Sequence, residues 1–330
     1  MYALRGQGCA IGMLHGVSDA TSWTTQAAFG LEEGMYMIAC TLAGDTIANA
    51  AAQKAAAGLD CYGVKLMLGD WLWWDDDTNG DMLVPPQAFA AGILGGLSPE
   101  QSSLNRQLYG VIGSQKAGLV SSGQAATYST AELSALFAAG IDVVCNPVPG
   151  GAYWAVRGGI NTSSSADTSD DSYTRLTNYI SETINAGMGA FVGVVITPTL
   201  FGDIRAVLLG TLSNMVTSGI LGASTDYAVV CDTSNNPQSR TALGYVRADV
   251  QVRYQASTAS SSSTFRAGRV SRSAPIHRRP DTFFPVCSCY GRPEGRPFLW
   301  RRECPPNPSI SVATAGWFWS MTAAASTYPP

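Results

Sequence analysis

Between Val246 and Tyr254 the chain alternates strictly. Val246, Ala248, Val250, Val252 and Tyr254 are apolar or aromatic, and Arg247, Asp249, Gln251 and Arg253 between them are polar. A period of two belongs to a β-strand with one buried and one wet face, because successive side chains leave a strand on opposite sides. Such a strand needs a neighbour for its backbone and a layer to cover its apolar face. Tyr227 to Cys231 is a short apolar run, and the turn residues Asn235-Asn236-Pro237 separate it from the alternating strand, so a hairpin is expected.

The covering layer is legible upstream. Tyr173, Leu176, Ile180 and Ile184 fall on one face of a helix ending at Gly187, and Leu200, Ile204, Leu208, Leu212 and Met215 stripe another. Between them Ala190 to Ile196 is apolar and β-branched, the pattern of a central strand. Ser129 and Glu132 form a capping box for a helix stopped by Gly140, and strands are expected at Ile141 to Cys145 and Tyr153 to Arg157. Nearer the front, Asp45 can cap an alanine-rich helix ending at Gly58, Tyr62 to Leu68 reads as a strand, and Pro85-Pro86 opens a helix through Leu94. Residues 110–128, rich in Gly, Ser and Gln, read as a linker or exposed loop. The fold class is α/β (α+β), with mixed sheets flanked by helices.

Charge divides the chain near residue 255. Residues 1–255 hold three lysines and eight arginines against 21 acidic residues, a net of -10. Residues 256–330 hold nine arginines and no lysine against three acidic residues, with ten of the 17 prolines and no sustained helix or strand period. The expected units are therefore 1–122, 123–255 and an irregular Arg/Pro/Ser-rich tail, 256–330. The net charge of -4 makes no electrostatic case for nucleic acid. No run approaches the ~18 apolar residues of a membrane helix, and no apolar segment follows Arg5 as a signal peptide requires. A charged fraction of only 13% leaves little self-repulsion and favours association.

Sites for covalent chemistry are scarce. Gly6, Gly8 and Gly12 are spaced one residue too widely for a dinucleotide fingerprint, with no strand before them. They and the α/β order support the rival reading, a Rossmann-like nucleotide-binding enzyme. Asp75, Asp77, Asn79 and Gly80 begin a calcium-loop pattern, but Pro86 stands where its closing Glu belongs, so a hairpin turn at Asn79-Gly80 is expected. His15 and His277 are the only histidines, and Cys287, Cys289, Cys304 and His277 fit no standard metal spacing. Trp71, Trp73 and Trp74 could form a sugar platform, although alternating burial beside a turn accounts for them. Cys9, Cys40, Cys61, Cys145 and Cys231 are expected as buried thiols. The expectation is a non-enzyme with no cofactor and no metal.

In order, Gly140-Ile141-Asp142-Val143-Val144 with Asn146-Pro147, Tyr153-Trp154-Ala155-Val156-Arg157-Gly158, Tyr173 to Ile180, Cys231-Asp232 with Asn235-Asn236-Pro237, and Leu243 to Tyr254 resemble the C-terminal domain of contractile phage tail sheath proteins. Gly69-Asp70-Trp71 and Pro85-Pro86 through Gly92 extend the resemblance to roughly residues 60–255. It implies an N-terminal sheath domain over 1–122, without the family's usual N-terminal arm, and the conserved sheath domain over 123–255. It implies a structural subunit of a virion tail, assembled in the host cytoplasm. Its partners would be other copies of itself in stacked rings, the tail tube protein, and the baseplate and tail terminator proteins. Neither direct nucleic-acid contact nor membrane insertion is implied. Contraction would drive the tube through the host envelope for genome delivery. A phage-derived injection device or gene-transfer particle would use the same subunit.

Neighbouring subunits in this family exchange strands, which assigns the alternating face Val246, Ala248, Val250, Val252 and Tyr254 to the subunit interface. Asp203 and Arg205, near the start of the Leu200 helix, are expected to face the tube. The family's next apolar strand is missing after Gln255. Read one base earlier, the serine-rich run Ala256 to Phe265 would encode an apolar strand of the family type, because TCN serine codons shift to N-TC. The tail is thus expected to be disordered or the product of a frameshift.

Overall fold

The computed structural model describes residues 1–76, 80–116, 118–119 and 127–255, together with the backbone of three later strands. The chain opens with a parallel sheet. Strands β1 (Ile11–Met13), β2 (Tyr36–Cys40) and β3 (Val64–Met67) lie in the order β1-β2-β3, connected by helices α1 (Ala20–Glu33) and α2 (Ile47–Ala56). Parallel neighbours need crossover connections, and the two helices supply them. All five residues of β2 are buried, as befits a central strand covered on both faces. Asp19 caps α1 by accepting the Ser22 N–H, and Thr46 caps α2 by accepting the Asn49 N–H. The cap expected at Asp45 therefore falls one residue later, and Asp45 accepts from the Thr46 N–H and the Asn49 amide instead.

An antiparallel sheet follows, built from β4 (Leu72–Asp76), β5 (Gly80–Val84), β6 (Val111–Ser114) and β7 (Gly118–Leu119) in the order β5-β4-β6-β7. Helix α3 (Pro86–Gly96) starts at its proline as expected. The reading of 110–128 as a linker or exposed loop fails at Val111–Ser114, where β6 pairs with β4 through Leu72↔Ser114 and Trp73↔Gly113; residues 117 and 120–126 lie outside the described ones. Gly110, at φ +77°, tucks beneath Trp74, where an added Cβ would lie 2.3 Å from the indole nitrogen. Glycine was needed there for contact, so its presence did not mark a flexible loop.

Helix α4 (Thr130–Ala138) carries the expected capping box, with Ser129 and Glu132 satisfying each other's backbone N–H, and Gly140 ends it at φ +65°. The strands after it are shorter than expected: β8 (Val144–Cys145) and β9 (Ala155–Val156). Asp142 instead pairs alongside β3, exchanging backbone hydrogen bonds with Leu66 and Leu68.

The C-terminal half of the described chain contains α5 (Asp171–Gly189), α6 (Pro198–Thr217), β10 (Tyr227–Val230), α7 (Gln238–Thr241) and β11 (Arg247–Val252). β10 and β11 form the expected antiparallel hairpin, registered Val230↔Asp249 to Tyr227↔Val252. Backbone strands β12 (Val286–Tyr290), β13 (Ser309–Thr314) and β14 (Trp317–Thr322) continue this sheet in the order β10-β11-β12-β14-β13. The remaining tail residues lie outside the described ones.

The expected strand at Ala190 to Ile196 does not form. Val192, Val194 and Val195 are 38, 49 and 78% exposed, in an irregular link between α5 and α6. A β-branched run becomes a strand only beside a partner, and here the two helices it joins already cover the hairpin. Their apolar stripes, Tyr173 to Met188 and Leu200 to Met215, pack on Val229, Ala248, Val250 and Val252 in one core. Full burial of each such leucine contributes about 1.5–3 kcal/mol. Two further cores join chain on both sides of residue 122. One gathers Trp23, Phe29, Leu66, Leu136 and Val143; the other gathers Tyr36, Ile38, Leu94, Val144 and Trp154.

Candidate functional site

The candidate site is the β10–β11 hairpin with the helix face beside it. Arg253 donates its backbone N–H to Asp226 O at 2.6 Å, and the Asn236 side chain mimics a strand at the other end. Its Oδ1 accepts the Arg247 N–H at 2.5 Å, and its Nδ2 donates to Arg247 O at 2.8 Å. Backbone groups of the odd-numbered residues of β11 therefore turn toward β10. Those of Ala248, Val250 and Val252 turn to the opposite edge. There β12 pairs through Val250↔Val286 and Arg247↔Ser288, with a register break between. β12 thus fills the outer edge of β11 in this chain, while Asn235 and Asn236 brace the side toward β10: Asn235 also bonds Val230 O and the Asp249 carboxylate.

The side chains assigned to the subunit interface are placed differently from the backbone edge. Ala248, Val250 and Val252 are buried in the protein's own core, and Val246 and Tyr254 pack against it. Tyr254 meets Tyr173 edge-on at 5.6 Å and shares a 3.1 Å hydrogen bond with Thr177. The half-exposed residues are the polar set, among which Arg247 and Asp249 pair at 2.5 Å. Asp203 and Arg205 are both exposed on the outer side of α6. Asp232 is held below the usual carboxylate range, chiefly by the Ser234 hydroxyl and backbone N–H, with Arg205 contributing least.

A second polar constellation escaped sequence reasoning because its members are far apart in the chain. Lys65 on β3 is fully buried, with Nζ 2.5 Å from Asp142 Oδ2 and 3.3 Å from Asp171 Oδ2, both carboxylates also fully buried. Ser102 and Ser103 donate to Asp171, and Arg175 one turn later donates to the carbonyls of Leu94, Leu97, Ser98 and Gln101. Burial pulls the Lys65 ammonium down, but the two carboxylates outweigh it and raise its pKa. The available signal was the charge itself: Lys65 and Asp142 each interrupt an apolar run, and a buried charge demands a partner.

The remaining chemical candidates fall in place. Gly6 and Gly8 precede β1, Gly12 lies within it, and the α1 N-terminus is occupied by the Asp19 carboxylate, so no phosphate-binding turn follows a strand. β4 and β5 close the hairpin expected near Gly80; residues 77–79 lie outside the described ones. Trp71, Trp73 and Trp74 are half-buried and His15 is exposed. Cys9 is exposed, contrary to expectation, because the turn before β1 has no layer over it. Cys40, Cys61, Cys145 and Cys231 are buried, and burial pushes the Cys40 thiol up to about 12 and those of Cys145 and Cys231 to about 11. Such thiols are protonated at neutral pH and poor nucleophiles. Among the described residues no group of three or more His, Cys, Asp or Glu could hold a metal. His277 and Cys304 lie outside them, as do the side chains of Cys287 and Cys289.

No protein-family model matches the sequence, and no curated protein matches it. Solved structures do match in fold. A chain of the anti-feeding prophage baseplate superposes with a TM-score of 0.60 at 14% identity, over 76% of this chain and 64% of that one. The sheath complex of an extracellular contractile injection system, PVC, in its contracted state gives 0.58 at 16% identity, over 71% and 64%. The contracted helical sheath of the anti-feeding prophage gives 0.56 at 16% identity, over 77% and 66%. The chain thus spans about two-thirds of the length of these structures. Its fold, an α+β arrangement of helices with one small parallel sheet and several small antiparallel ones, is that of contractile injection-system sheath chains.

Proposed function

We propose that this protein is a structural subunit of a contractile sheath that surrounds an inner tube and shortens to drive it through a target envelope. The observation that carries the reading is the fold match over three-quarters of the chain to contracted-sheath assemblies. The β11 edge that β12 fills in this chain is the one a neighbour's strand takes in the assembly, since backbone strand exchange links subunits while leaving their bodies free to shift. The role is mechanical and non-enzymatic. The partners are copies of the chain itself, the tube protein, and baseplate and terminator proteins, in a virion tail or a related injection particle, with assembly in the cytoplasm of the producing cell. The exposed pair Asp203 and Arg205 on α6 faces the tube, and the interface runs along Val246 to Tyr254 through the backbone of its outer edge. The tail after about residue 255 is the product of a shifted reading frame that displaced the family's terminal strand. The Rossmann-like enzyme has no support in the fold.

Sedimentation velocity tests this, using the 330-residue chain and a version continued after Gln255 in the neighbouring frame. The frame-restored version is expected to form large polymers as concentration rises. Monomers at every concentration in both samples, together with tight nucleotide binding in equilibrium dialysis, would overturn the reading. A neighbouring frame without an apolar strand would refute the frameshift alone.

A further inference from the structure

We propose that Lys65 and Asp142 are the two ends of a self-formed intramolecular amide cross-link, for which Asp171 is the proton carrier. Three groups are needed for such a bond: an amine, a carboxyl group in contact with it, and a second acid to move protons. All three are here, fully buried, with Lys65 Nζ 2.5 Å from Asp142 Oδ2 and 3.3 Å from Asp171 Oδ2. Burial excludes the water that would otherwise solvate the ions and reverse the reaction.

The hydrogen bonds at Asp142 divide its two oxygens by role. Oδ1 accepts the backbone N–H groups of Val143 and Gly158, each at 2.7 Å. Two fixed donors on one oxygen are the arrangement that stabilises the negative charge of a tetrahedral intermediate. Oδ2 faces the amine and a longer 3.2 Å contact from the Ile160 N–H, so it is the oxygen that leaves. Gly158 has no room for a side chain, since a Cβ would lie 2.7 Å from Asp142 Oδ1.

The step balances without a co-reactant. The Lys65 ammonium passes one proton to Asp142 Oδ2, giving a neutral amine and a carboxylic acid with no change in net charge. The amine lone pair attacks Asp142 Cγ, forming the C–N bond and placing negative charge on Oδ1. Asp171 takes a second proton from the nitrogen and returns it to the Oδ2 hydroxyl. The C–Oδ2 bond then breaks, leaving an amide, one water molecule and Asp171 as it began.

The carboxylates keep Lys65 charged at rest, so the reactive form is the minor one and the bond forms slowly after folding. Once formed, it would tie β3 covalently to the segment pairing beside it, across 77 residues of chain.

Intact-mass spectrometry of the purified full chain, fresh and after days at neutral pH, is the test. The aged protein is expected to be lighter than its sequence mass by one water molecule. Its digest should contain a branched peptide joining Lys65 to Asp142. Lys65→Arg, which keeps the charge but not the nucleophile, should stay at its full sequence mass. Asp171→Asn should gain the bond more slowly by tenfold or more. An aged wild-type chain at full sequence mass would overturn the proposal. So would a water loss mapped to a succinimide elsewhere, or one persisting in Lys65→Arg.

Discussion

Two regions hold this molecule together by different forces. Around α5, α6 and the β10–β11 hairpin the contacts are apolar, from Tyr173 through Leu208 and Leu212 to Val250 and Val252. Around Lys65, segments from β3, the residues after α3, Asp142 and the start of α5 meet through charges and hydrogen bonds. An apolar core is graded: each lost methylene costs a little, and volume-conserving swaps are tolerated. A buried ionic junction is close to all-or-none, because removing one member strands the others without water. In the proposed sheath subunit the first region bears the strand-pairing edge, and the second binds the body behind it.

The largest effect should follow from breaking the junction. Lys65→Met leaves two buried carboxylates facing each other and should cost about 3–5 kcal/mol in a denaturant titration. A loss below about 1 kcal/mol would mean the carboxylates escape to solvent. Leu208→Ala, at a residue with no exposure in the apolar region, should cost about 2–5 kcal/mol, while Leu208→Met should cost less than about 1.5 kcal/mol. If the conservative swap at Leu208 proved as severe as Lys65→Met, the contrast between the regions would fail. Asn236→Ala removes the side chain that mimics a strand at Arg247 and should cost about 1–3 kcal/mol. Amide exchange should show the loosening at Arg247 before any at Tyr36.

The smallest effects lie at the surface. Ser129→Ala removes the reciprocal cap of α4 and should cost about 1 kcal/mol. Glu132 adds a pH signature. Lys116 first, then Ser129, holds its carboxyl down to about 2. With the folded value depressed, its stabilisation is present above the ordinary carboxylate pKa and is lost as pH falls through that range toward 2. The step should be small, since the ion pair is exposed, and Glu132→Gln should abolish it.

Legibility in the sequence followed locality. The α6 stripe, Leu200 to Met215, is buried as its four-residue spacing required, and the alternation of β11 appears as alternating burial. Both patterns are complete within one element. Ala190 to Ile196 has the composition of a strand, yet composition cannot report that no neighbour stands beside it. β6 was hidden behind Gly110, which serves contact with Trp74. The β11 edge was legible as a strand, but its Asn236 brace depends on a turn shape visible only in space. The junction of Lys65, Asp142 and Asp171 is set by tertiary folding alone, so only the oddity of charges inside apolar runs pointed to it.

Electron cryomicroscopy of the assembled polymer tests the central claim most directly. A hollow helical tube is predicted, in which a strand of one subunit takes the place along the Ala248, Val250 and Val252 edge of its neighbour that β12 fills in the 330-residue chain. A frame-restored chain that never polymerises, or a polymer that leaves this edge without an intersubunit strand, would contradict the account.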